Sequence, residues 1–189
     1  MLEIFSLPMV ILYSILFGVT MKIADLLDEH GLRWFKGDAY VFGFLWGFFG
    51  VLLILFRTDV ANVLFARILA YLPRKSLDYL NHIIAGLMIM IAFIWKAEFS
   101  PLLFFSFFAI FVIFGFTRDY FGNKKPKSKK GKKSALFFIH EPALHYLVFT
   151  FIYGLISGSY YVFLVFTLSQ LSYNAIKYGF YYAGWSKEI

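Results

Sequence analysis

From Tyr40 to Phe56 the chain runs seventeen residues without one charged side chain, and comparable apolar runs recur along its length. A helix that crosses the hydrocarbon of a bilayer needs about 20 largely apolar residues. Composition points the same way. Hydrophobic residues make up 61% of the chain and charged ones 15%, against about 45–50% and 25% in a soluble domain. With 26 Phe, 13 Tyr and 4 Trp, many rings must face something other than water. A compact water-soluble fold, a disordered chain and a DNA-binding module all fit poorly.

The apolar runs predict an all-α, polytopic helix bundle forming one transmembrane domain over residues 1–189. Seven spans are expected. The first covers Ile4 to Lys22 and continues as helix to His30, where Gly31 supplies a C-terminal stop. The others cover Tyr40–Phe56, Val60–Leu72, Leu80–Trp95, Leu102–Phe116, Pro142–Ile156 and Tyr160–Gly179. The third is short and holds Arg67; if it is re-entrant, six spans remain. In the second, Gly43 and Gly47 form a small-xxx-small pair that lets another backbone approach closely.

The formal charge of +7 is local. Seven of the eighteen basic residues, Lys124, Lys125, Lys127, Lys129, Lys130, Lys132 and Lys133, lie within ten residues. The remainder is neutral, so the basic face that nucleic-acid binding requires is absent. Short basic loops stay cytoplasmic. The Lys-rich loop at 118–134 therefore goes inside, attracted to anionic headgroups. Counting back over seven spans puts the N-terminus outside the cell membrane and the C-terminus in the cytoplasm. The first apolar run lacks the basic start and small-residue cleavage site of a signal peptide, so it is expected to be retained.

Charged groups inside a membrane cost about 2.5–3.5 kcal/mol each at a helix centre, so their placement asks for a reason. Here they gather at one leaflet. The first helix ends with Lys22, Asp25, Asp28, Glu29 and His30. The fourth opens with Asp78, Asn81 and His82. The fifth ends in Arg118 and Asp119, and the sixth opens with His140, Glu141 and His145. The seventh carries Gln170, Asn174 and Lys177 at i, i+4 and i+7, one helical face. Some have simpler roles. Asp78 is expected to cap the fourth helix, Pro142 marks a first helical position behind a Glu141 cap, and Lys96 snorkels to the interface.

Carboxylates and histidines on one face suit a divalent cation, magnesium or manganese ahead of zinc. Asp25, Asp28 and Glu29 are the expected ligands. His30, His140, His145 and Glu141 are the expected catalytic acid–base groups, and Arg118, Lys177, Asn174, Gln170 and His82 the expected substrate contacts. The site would act on a lipid or isoprenoid phosphate, by transfer or hydrolysis. The rival expectations are a proton- or ion-coupled transporter, which needs polar groups through the whole membrane depth, and a membrane subunit of a larger complex.

Familiar motifs do not extend the reading. His140 and His145 are one residue too far apart for a zincin pair. Asp25-x-x-Asp28 lacks the glycine, Ala-Arg and distal aspartates of the CDP-alcohol phosphotransferase signature. Gly37-Asp38 is expected in a loop, and with no cysteine in the chain thiol chemistry is excluded.

Overall fold

The computed structural model describes residues 4–28, 31–74, 79–123 and 142–184, with the side chains of 118–123 and 142–144 left out of the description. Among these residues the fold is entirely helical, seven helices and no strand. They are α1 (Leu7–Asp28), α2 (Asp38–Phe56), α3 (Thr58–Leu69), α4 (Leu80–Lys96), α5 (Pro101–Asn123), α6 (Pro142–Ser157) and α7 (Tyr161–Tyr182).

The helix ends follow local chemistry. Gly31 takes φ +72°, and the amide of Leu32 reaches back to the carbonyl of Leu26 at 3.1 Å, the six-to-one closure that ends a helix on a left-handed glycine. Asp38 is not in a loop but opens α2. Its carboxylate accepts the backbone N–H of Trp34 at 2.6 Å and of Ala39 at 2.9 Å, so its role there is structural. Pro142 opens α6 as its missing N–H predicts. The fifth helix runs past the expected Phe116 to Asn123, because no glycine or proline intervenes before Gly122. Arg118 and Asp119 therefore lie on a helix, not in the basic loop.

Two helices, α1 and α2, are long and apolar enough to cross a membrane. The helix α4, residues 101–117 of α5 and residues 145–157 of α6 are apolar but shorter. With 12 residues, α3 is about 18 Å long, well short of a hydrocarbon core of about 30 Å. It sits in the middle of the molecule, against α2, α4, α5 and α7, with Val60, Val63, Leu64 and Ile68 buried.

Glycine governs the close approaches. A Cβ built on Gly43 would lie 2.8 Å from the Asn81 Cα, and one on Gly47 3.0 Å from the Ala85 Cα. The expected small-xxx-small pair thus brings the backbone of α4 against α2. On the other side of α1, a Cβ on Gly18 would collide with the Ser169 carbonyl and the Ser172 hydroxyl, which sets the depth at which α7 packs.

One end of the molecule is tied by polar contacts that reach from α3. The Asn62 amide donates to the carbonyls of Thr58 and Glu98, both at 2.8 Å, and its oxygen accepts the Ser100 N–H at 2.9 Å. Asp59 accepts the Ser159 hydroxyl at 2.9 Å and pairs with Arg57 at 3.1 Å. The hydrogen bonds that the Arg57 guanidinium donates to Asp59 hold it above its ordinary pKa. Much of the outer surface is apolar: Ile94, Leu102 and Ile156 are 80%, 83% and 82% exposed. The interior, by contrast, holds Lys22, Asp25, Arg67, Asn81 and Gln170.

Candidate functional site

Buried ionisable groups converge at the other end, where α4 and α7 each approach α1. Asp25 on α1 is 7% exposed. Its Oδ1 lies 3.1 Å from His82 Nε2 on α4, and its Oδ2 accepts the Tyr173 hydroxyl of α7 at 2.9 Å. One carboxylate thus joins three helices distant in sequence. One turn earlier on α1, the buried Lys22 ammonium stands 5.1 Å from the centre of the Tyr173 ring. Trp46 and Tyr79 set their edges against the His82 imidazole, with ring centres 5.5 and 5.9 Å away. A carboxylate bonded to one imidazole nitrogen fixes the orientation of the ring.

Arg67 lies deeper, 6% exposed. Its Nη2 is 3.5 Å from Met21 Sδ, and its guanidinium sits over the faces of Tyr146 and Phe166 at 5.6 and 5.8 Å. Tyr71 hydrogen-bonds to it. No carboxylate among the described residues comes within ion-pair distance of it. Its place in the last turn of α3 puts it at the negative end of the helix dipole. Aromatic faces and a dipole compensate a buried guanidinium only partly. The remaining donors suit a planar or tetrahedral oxyanion.

The expected site residues divide. Asp25 and His82 meet directly, with His82 serving the carboxylate of Asp25. On α7, Gln170 Nε2 donates to Asn174 Oδ1 at 3.3 Å, so the two expected substrate contacts bond to each other. Lys177 lies over the Tyr178 ring at 5.6 Å. His145 stacks on Phe114 of α5, ring centres 4.2 Å apart, a contact on the α5 side of α6. Glu29, His30, His140 and Glu141 lie outside the described residues, as do Asp78 and the side chain of Arg118.

For a divalent cation, Asp25 and Asp28 offer two carboxylates one turn apart. The Asp28 Oδ2 is buried and has no hydrogen-bond partner among the described residues, an orphaned anionic atom of the kind a cation satisfies. No three His, Asp or Glu side chains among the described residues stand together as a complete ligand set.

Three contributors escaped the sequence reading as site residues: Tyr173, Arg67 and Lys22. Tyr173 falls between Gln170 and Asn174 on a helix rich in tyrosine, so nothing in its spacing separates it from packing rings. Arg67 was legible as an arginine within an apolar run, the signal of a buried charge that needs a reason. No known protein family, curated protein or solved structure matches this chain.

Proposed function

We propose that this chain is a multi-pass membrane protein whose buried site at Lys22, Asp25, Arg67, His82 and Tyr173 acts on a phosphorylated amphiphile, a lipid or isoprenoid phosphate. The observation that carries the reading is the Asp25 carboxylate shared between His82 and Tyr173, with the buried guanidinium of Arg67 on α3, which has no carboxylate within ion-pair distance among the described residues. Large aliphatic side chains line the outside, unlike a soluble protein, whose exposed apolar patches rarely exceed a few hundred Å². Lipid around the helices accounts for that surface. The seven lysines of residues 124–133 support an orientation with the site at the cytoplasmic leaflet and the N-terminus outside.

In this reading the apolar chain of the substrate stays in the bilayer while its phosphate enters among Lys22, Arg67 and Lys177. Arg67 binds phosphate oxygens through paired N–H donors. Asp25 holds His82 in the orientation from which it takes the proton of an attacking hydroxyl. Tyr173 fixes the second carboxylate oxygen, so the dyad does not need to reorganise. A magnesium or manganese ion held by Asp25 and Asp28 would neutralise charge on the phosphate.

A transmembrane ion pathway has less to stand on. Between the Asp25 end and the Asn62 end the core holds Phe17, Leu64, Ile89 and Val165. The hydroxyls of Ser14, Thr20 and Ser169 are turned back onto carbonyls of their own helices.

The test is turnover of polyprenyl and diacylglycerol phosphates by the purified chain with and without magnesium. Arg67→Met is expected to cut kcat/KM about 100-fold, since a lost charge-assisted contact to the reacting group costs about 2.7–4 kcal/mol. The same change should leave the melting temperature unchanged or higher, because an apolar side chain replaces a desolvated charge. Undiminished turnover, or absence of turnover on every phosphorylated amphiphile tried, overturns the reading.

A further inference from the structure

The end of the molecule remote from Asp25 carries a cavity of about 400 Å³ where Phe5, ahead of α1, meets the ends of α2 and α4 and the start of α3. Phe5, Ile54 and Phe56 form its apolar wall, and Arg57, Thr58 and Lys96 line its polar side. The two cations differ in how far they are neutralised. Arg57 spends Nε and one Nη2 donor on Asp59, at 3.1 and 3.3 Å, and stacks over Tyr161 at 4.6 Å. Its remaining N–H donors are not spent on Asp59. Lys96 rests 5.5 Å from the Trp95 ring centre, with no carboxylate within ion-pair distance among the described residues.

An apolar slot with a cationic rim, at the level where helices turn, matches an anionic amphiphile and not a free solute. We infer that this cavity seats one anionic phospholipid, its phosphate between Lys96 and Arg57 and its acyl chain along Phe5, Ile54 and Phe56. The charge complementarity lies in Lys96, which alone on this rim has no described counterion. Trp95 and Lys96 together supply the ring and the ammonium that favour the headgroup level of a bilayer. The inference rests on the bilayer placement proposed above, and not on the chemistry at Asp25.

The full chain in detergent, titrated with phosphatidylglycerol and phosphatidylcholine under native mass spectrometry, tests it. One phosphatidylglycerol should be retained about tenfold more tightly than phosphatidylcholine. Lys96→Gln, at an exposed position, should erase that preference. Ala97→Phe, which fills the slot without touching a charge, should abolish retention of both. Equal retention unaffected by either change, with the chain still resisting alkaline extraction from membranes, refutes the lipid site alone. Displacement of the lipid by millimolar inorganic phosphate refutes it as well, by making the rim a free-anion site. Release of the chain from membranes by alkaline carbonate refutes the bilayer placement and this site with it.

Discussion

Asp25→Ala is expected to abolish turnover of the phosphorylated amphiphile, by about 10²–10⁴-fold, the range associated with loss of positioned acid–base catalysis. The carboxylate touches both His82 and Tyr173. Without it the imidazole loses its orienting partner, and the Tyr173 hydroxyl loses its carboxylate acceptor. Losing a carboxylate partner from such half-buried groups costs up to about 1–3 kcal/mol, so the melting temperature should fall too. Asp25→Asn separates the two effects. It keeps the shape and an oxygen acceptor for one partner, so stability should recover most of the loss while turnover stays low. Initial rates and thermal denaturation in detergent decide the matter. Turnover of Asp25→Ala within twofold of the wild type removes Asp25 from the chemistry.

The second large effect is expected at a packing contact that holds no reacting group. Gly18→Leu should destabilise the bundle by about 1–3 kcal/mol or more, the usual cost of forcing volume into a packed contact. The neighbours that a side chain at Gly18 meets are the backbone of Ser169 and the Ser172 hydroxyl, and the backbone cannot simply swing aside. To admit the leucine, α7 must move away from α1. Tyr173 lies one turn beyond Ser169, so the same movement draws its hydroxyl off Asp25. Turnover should therefore fall together with the melting temperature. Gly179→Ala on the same helix is the control. Nothing lies within 4 Å of a Cβ there, and alanine gains about 1 kcal/mol of helix propensity over glycine. Equal melting temperatures for the wild type and Gly18→Leu would show that α1 and α7 do not pack as described.

The apolar runs told most of the fold in advance. The expected Tyr40–Phe56 and Leu80–Trp95 agree with α2 and α4 to within two residues, because uncharged runs bounded by Asp38, Arg57 and Lys96 leave little choice of helix end. Gly43 and Gly47 were legible as a contact face, although not that α4 would occupy it. The site was legible only in part. Helical spacing puts Lys22, Asp25 and Asp28 on one side of α1, but it says nothing of which side α1 presents to α4. That is why His82 could be expected near the cluster and yet not as the partner of Asp25. The spacing of Gln170 and Asn174 carried two meanings, since residues one turn apart can bond to each other as well as to a ligand. His145 shares α6 with Tyr146, and the bundle turns the tyrosine towards Arg67 and the histidine onto Phe114. That choice depends on how α5 packs, which no pattern within α6 encodes.

The chain has no cysteine, so paired cysteines introduced at chosen sites are the only thiols present. Cysteines at 25 and 82, and in a second chain at 25 and 173, should be joined within one molecule by a short bifunctional thiol reagent in native membranes. Cysteines at 25 and 96 should not, because residue 96 lies about 21 Å further along α4. Efficient joining of the first two pairs and none of the third is the expected result. Failure of both 25–82 and 25–173 in a chain that still inserts and melts cooperatively would contradict the convergence of α1, α4 and α7 at Asp25.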